Sequence, residues 1–88
     1  MKYQVHIQRT AEKEIDRLPQ SVHRRLSNKI LSLGENPRPR GSKKLVGIEN
    51  HRLRIGDYRI LYDIDDNKKI VIIIAVGHRS EVYRWKRS

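Results

Sequence analysis

The stretch HRLRIGDYRIL, residues 51–61, leaves the backbone few choices. Apolar and basic residues alternate on both sides of Gly56-Asp57, the pattern of two β-strands joined by a two-residue turn. Such a turn fixes the pairing, setting Ile55 across from Tyr58, Arg54 from Arg59, Leu53 from Ile60 and Arg52 from Leu61. Successive side chains point to opposite faces, so Leu53, Ile55, Tyr58, Ile60 and Tyr62 share one side and Arg52, Arg54 and Arg59 the other. Like charges directly opposed on a sheet cost roughly 0.2–1 kcal/mol, and no carboxylate in this stretch shares the arginine face. Stability alone argues against the arrangement. Three guanidinium forks suit phosphate oxygens, so the face reads as a surface for a nucleic-acid backbone.

The rest of the chain supplies what such a hairpin needs behind it. Tyr3, Val5 and Ile7 alternate with polar residues, which predicts a strand over 2–8. Thr10 is placed to cap a helix whose apolar residues are Ala11, Ile15 and Leu18, with Pro19 ending it or starting the next. Val22, Leu26, Ile30 and Leu33 mark a second helix, stopped by Gly34 and Pro37. The segment NPRPRGSKK, 36–44, reads as a basic surface loop. Strands are expected near 45–55, at 58–64 and at 69–77, with an edge strand at 81–85.

The order β-α-α-β-β-β predicts an α+β fold, in which a mostly antiparallel sheet of three to four C-terminal strands plus the N-terminal strand is covered on one face by a helical hairpin. The other face is left for solvent, partner or substrate. An even loop at DDNK sets Arg59 beside Ile74, with His78 on the arginine face, and a bulge is expected at Gly77 to change the parity before Arg79.

With 88 residues the chain reads as a single domain, 1–88. It has no cysteine, hence no disulfide or thiolate site, and its N-terminus lacks a signal-like apolar run. The run IVIIIAV, 70–76, is too short to span a bilayer, so a cytoplasmic protein without a membrane partner is expected. Twenty Lys and Arg against ten Asp and Glu give a net charge of +10 and predict an acidic partner.

The four histidines and the carboxylates show no metal-binding spacing, and neither a Ser-His-Asp order nor a Gly-rich phosphate loop is present, so no cofactor is expected. RNA carries its own nucleophile. A 2′-hydroxyl in line with the next phosphate needs alignment, charge stabilisation and a proton donor for the leaving 5′-oxygen. An arginine face with a tyrosine and a histidine can supply these, and Tyr83 and Trp85 could stack on bases.

Residues 44–84, with GDYR…Y followed by VGHR…VY, closely resemble RelE-type toxins of toxin–antitoxin systems, and AEKEIDRLP and ENPRP fit the same family. The resemblance implies a metal-independent endoribonuclease that cuts mRNA in the ribosomal A site, contacts 16S rRNA and is silenced by a RelB-like antitoxin. By position, Arg59 would stabilise the scissile phosphate. Arg79 would stabilise charge on the leaving oxygen or protonate it, and Tyr83 would stack on or orient the substrate. Arg52 and Arg54 stand where the best-known members carry lysines, and arginine is a poor general base. His51 and His78 are the nearby groups that titrate near neutrality, either of them a candidate base or phosphate contact. ParE-type toxins share the architecture and instead inhibit DNA gyrase by binding; a noncatalytic nucleic-acid-binding module would need only the charge.

Overall fold

The structure, a computed structural model, describes residues 2–44 and 50–78. In chain order its elements are β1 (Gln4–Ile7), α1 (Arg9–Asp16), α2 (Gln20–Ser32), β2 (Ser42–Lys44), β3 (His51–Ile55), β4 (Tyr58–Asp65) and β5 (Ile70–His78). The strands form one sheet in the order β1-β5-β4-β3-β2. β1 runs parallel to β5 and the other neighbours are antiparallel. The expected α+β arrangement of a helical hairpin followed by a mostly antiparallel sheet is therefore present.

The helices cover one face. Ala11 and Ile15 from α1 and Leu26, Ile30 and Leu33 at α2 pack with Leu53, Ile60, Tyr62, Val71, Ile73 and Val76 into the main core. Leu61 and Ala75, with Ile74 against them, form a separate small cluster on the other face, and no helix residue joins it. Gly56 takes a positive φ of 59° at the first position of the β3–β4 turn, which spares Asp57 that conformation and gives the tight reversal the strands require.

Three expectations are corrected. Gln8, not Thr10, occupies the N-cap of α1, and its side chain makes no capping bond. The segment read as a loop over 36–44 ends in β2. Gly41, at φ 95°, turns the chain, and both the backbone N–H and the hydroxyl of Ser42 donate to the Pro39 carbonyl, at 3.0 and 2.8 Å. Lys43 then pairs with Arg52. The parity break of β5 lies at Ile74 rather than Gly77, because Leu61 faces Ala75 whereas Tyr62 faces Ile73. The strand expected near 45–55 is seen from His51, its earlier residues 45–49 and the edge strand at 81–85 lying outside the described residues.

β1 stops pairing with β5 at Ile7–Ile73, and beyond that point no described strand flanks β5 on that side. Glu14 of α1 fills the gap: its Oε1 accepts the Val76 N–H at 3.0 Å. Val76 is buried, so removing the acceptor leaves an N–H shielded from water. Glu14→Ala should lower unfolding free energy by about 1–3 kcal/mol in urea titrations, and Glu14→Gln, which keeps an acceptor oxygen, should lose much less.

The start of the β4–β5 turn is tied to the rest by Asp66. Its carboxylate receives a two-pronged ion pair from Arg38, with Nη1 to Oδ1 at 3.2 Å and Nη2 to Oδ2 at 2.9 Å. The Tyr3 hydroxyl donates to Oδ1 at 2.6 Å. The hydrogen bonds from Arg38 and then Tyr3 hold the Asp66 carboxyl down to about 2, below the ordinary value near 3.9 of an unfolded chain. The stability this gives is complete above about pH 4 and drains away as the pH falls toward 2. Asp66→Asn should flatten the fall of melting temperature with pH across that window, compared with the wild-type protein.

Candidate nucleic-acid interface

The hairpin register is the one its sequence dictates: Arg54 stands across from Arg59, and Arg52 across from Leu61. β2 widens the cationic face by one strand, because Lys43 stands across from Arg52. One row across the sheet therefore reads Lys43, Arg52, Leu61, Ala75, and the next Arg54, Arg59, Gly77. Lys43 is the member sequence reasoning missed. No sequence signal marks it, because SKK has no apolar alternation and the prolines and charges around it read as loop.

The four cations differ in setting. Arg59 is only 7% exposed, between the backbone of Arg54 and that of Gly77, which brings no side chain against it. A guanidinium held this far from water acts more strongly on a phosphate than an exposed one would. Arg52 is half-buried and Arg54 exposed. The pairing of β2 with β3 ends at Ser42–Leu53, so Arg54 lies at an open edge, where its Nε donates to the Gly56 carbonyl at 3.2 Å. Arg54 thus stands on the rim of the face.

The face changes character toward the other end of β4. Asn50 donates from its side-chain amide to Asp63, which stands across from Ile72. Among the described residues, the cations of this face lie on the part of the sheet nearer the β3–β4 turn.

The two histidines do not join them. His51 stands across from Tyr62 and stacks on it, ring centroids 5.5 Å apart at 28°. Tyr62 belongs to the helix-side core, its hydroxyl donating to the Pro37 carbonyl at 2.7 Å, and burial pushes its phenol pKa up. His78 is paired with Tyr58, not placed beside the arginines as expected, and meets that ring edge-on at 5.9 Å. The extra residue at Ile74 is the cause: it puts Gly77 on the arginine face and turns His78 to the other. Arg79, Tyr83 and Trp85 lie outside the described residues. Among the described residues no group of His, Asp or Glu is arranged to hold a metal ion, and no helix is long and apolar enough to cross a membrane.

Comparison with known proteins bears on the fold and the family. The family described as "ParE toxin of type II toxin-antitoxin system, parDE" matches residues 5–83. The chain is 35% identical to the mRNA interferase toxin RelE of Escherichia coli K12, over 94% of this chain and 92% of that protein. It is 36% identical to Toxin RelE of Mycobacterium tuberculosis, over 93% and 87%. Among solved structures, the archaeal RelE–RelB complex from Pyrococcus horikoshii superposes with a TM-score of 0.81 at 30% identity, over 90% of this chain and 97% of that one. The isolated E. coli RelE toxin gives 0.76 at 31%, over 96% and 94%. This chain belongs to the RelE/ParE superfamily of type II toxin–antitoxin systems, as a RelE-type toxin.

Proposed function

We propose that this chain is a metal-independent endoribonuclease that cleaves mRNA codons in the ribosomal A site, acts in the cytoplasm and is silenced by a RelB-like antitoxin. The observation that carries the reading is the Arg54–Arg59 pair, two like charges set directly across a sheet with Arg52 and Lys43 beside them. A fold gains nothing from that arrangement, and a phosphodiester does. The names of the relatives support the same reading, since the E. coli protein is called an mRNA interferase and several solved neighbours are complexes with RelB.

In the proposed reaction the 2′-hydroxyl oxygen attacks the adjacent phosphorus, the bond to the 5′-oxygen breaks, and that oxygen leaves with a proton, giving a 2′,3′-cyclic phosphate and a 5′-hydroxyl. Arg59 stabilises the charge that builds on the phosphoryl oxygens. Arg52, Arg54 and Lys43 bind the flanking backbone. Arg79 stabilises charge on the leaving oxygen or gives it its proton, and Tyr83 stacks on or orients the substrate, as the resemblance implies for those positions. His51 and His78 face away from the arginines, so the 2′-hydroxyl proton is assigned to solvent or a ribosomal group.

Purified protein added to translating ribosomes should cut mRNA within the A-site codon, seen by mapping the new RNA ends. The family description also names ParE, so gyrase supercoiling is assayed in parallel. Gyrase inhibition without mRNA cleavage would replace this reading with the ParE one.

A further inference from the structure

We propose that the groove between α2 and the β3–β4 turn is a second binding site for RNA phosphodiester backbone, joined to the cationic face through Arg54. The inference rests on the nucleic-acid reading above and extends it to a surface on the helix side of the sheet. The groove is shallow and open to solvent, with a volume of about 510 Å³, and among the described residues it is lined by three cations, Arg25 and Lys29 from α2 and Arg54 from β3, and by no carboxylate. Asn28 and Ser32 add neutral hydrogen-bonding groups.

The cations are set by local structure. Arg25 and Lys29 are four residues apart on one helix face, a like-charge spacing that weakens a helix and that folding does not ask for. The Arg25 guanidinium lies over the turn, its Nη2 3.8 Å from where a Cβ on Gly56 would stand. Arg54 is tied to the same turn through the Gly56 carbonyl. Two guanidiniums thus lie beside one glycine, and Arg54 is shared between the groove and the row that holds Arg59. A strand crossing the Arg59 row could continue over the turn and keep its phosphates in contact with cations.

The walls favour a phosphate backbone over an acidic peptide. A helical peptide docks in a groove through apolar anchors, and among the described lining residues Ile55 is the one large apolar side chain. Polynucleotide needs cations and hydrogen-bonding groups, which the groove supplies.

The test is the double variant R25Q/K29Q, both residues being exposed, against R9Q/K13Q, an exposed pair of the same spacing on α1. One probe is a fully 2′-O-methylated oligoribonucleotide, which lacks the attacking hydroxyl. The others are vacant ribosomes and ribosomes carrying mRNA. For R25Q/K29Q the slope of log affinity against log salt should become shallower by about 1.4, two charges at about 0.7 each for single strands. KM for codon cleavage should rise several-fold with kcat unchanged. A shallower slope with the oligoribonucleotide identifies the mRNA strand as occupant; one seen only with ribosomes, vacant or loaded, identifies ribosomal RNA, and either supports the site. Unchanged slopes on every probe, or an equal change in R9Q/K13Q, overturn it. Weaker binding of a co-expressed acidic antitoxin with RNA binding intact would assign the groove to a peptide and also overturn it. If the wild-type protein binds no RNA and cuts none, the parent reading fails instead.

Discussion

Arg59→Ala should lower codon cleavage on translating ribosomes by about 100- to 1,000-fold, the loss that follows removal of one preorganised donor to a developing oxyanion, about 3–4 kcal/mol. Arg59 holds the most sheltered guanidinium on the cationic face, 7% exposed and set across from Gly77. The loss should fall on kcat in single-turnover measurements, because the charge Arg59 meets is greatest in the transition state. Arg59→Lys, which keeps the charge but loses the fork, should lie between the two. His78→Gln should leave the rate within a few-fold of wild type, since His78 packs on Tyr58 away from the arginines. A cleavage rate for Arg59→Ala within threefold of wild type, with circular dichroism showing a folded protein, would remove Arg59 from the chemistry.

Tyr62→Ala should cost about 3–5 kcal/mol of stability, the range for deleting a large aromatic from a core. Tyr62 is fully buried in the main cluster, supports the His51 ring, and bonds through its hydroxyl to the Pro37 carbonyl. Tyr62→Phe keeps the packing and cuts the bond, so it should cost only about 1 kcal/mol. That smaller loss should be local. Pro37 opens the segment leading to Gly41 and β2, so amide exchange at Ser42 and Lys43 should speed up in Tyr62→Phe before the rest of the sheet responds. Chemical denaturation gives the first pair of numbers and hydrogen exchange the second; equal stability of the two variants would show that the ring itself carries little of the core.

The hairpin was legible because its turn has only two residues, which leaves no freedom in the pairing of Arg52, Arg54 and Arg59. β5 was not legible to the same depth. IVIIIAV is apolar throughout, so nothing in it marks which residues face the helices, and its side assignment depends on a bulge. In the structure Val71, Ile73 and Val76 face the main core, a spacing of two and then three. That single extra residue decides that Gly77 and not His78 stands by Arg59. β2 was missed for a different reason. Pro39, Gly41 and the lysines carry the composition of a loop, and only the pairing of Lys43 with Arg52 makes the segment a strand. Arg79 took its role from the resemblance alone, Tyr83 from its aromatic ring as well as from the resemblance, and both lie outside the described residues.

The first strand's place beside the last described one bears on when the protein can exist at all. Among the described strands β1 has β5 as its sole neighbour, so Gln4–Ile7 must wait for residues 70–73 before they can pair. Long-range parallel pairing forms late and slowly, and a hairpin such as β3–β4 on its own is marginal in water. A nascent chain whose β5 is still inside the ribosome therefore carries its arginines on an incomplete sheet, with neither β1 nor the Val76–Glu14 bond in place. Topology delays the finished surface until most of the message encoding it has been read.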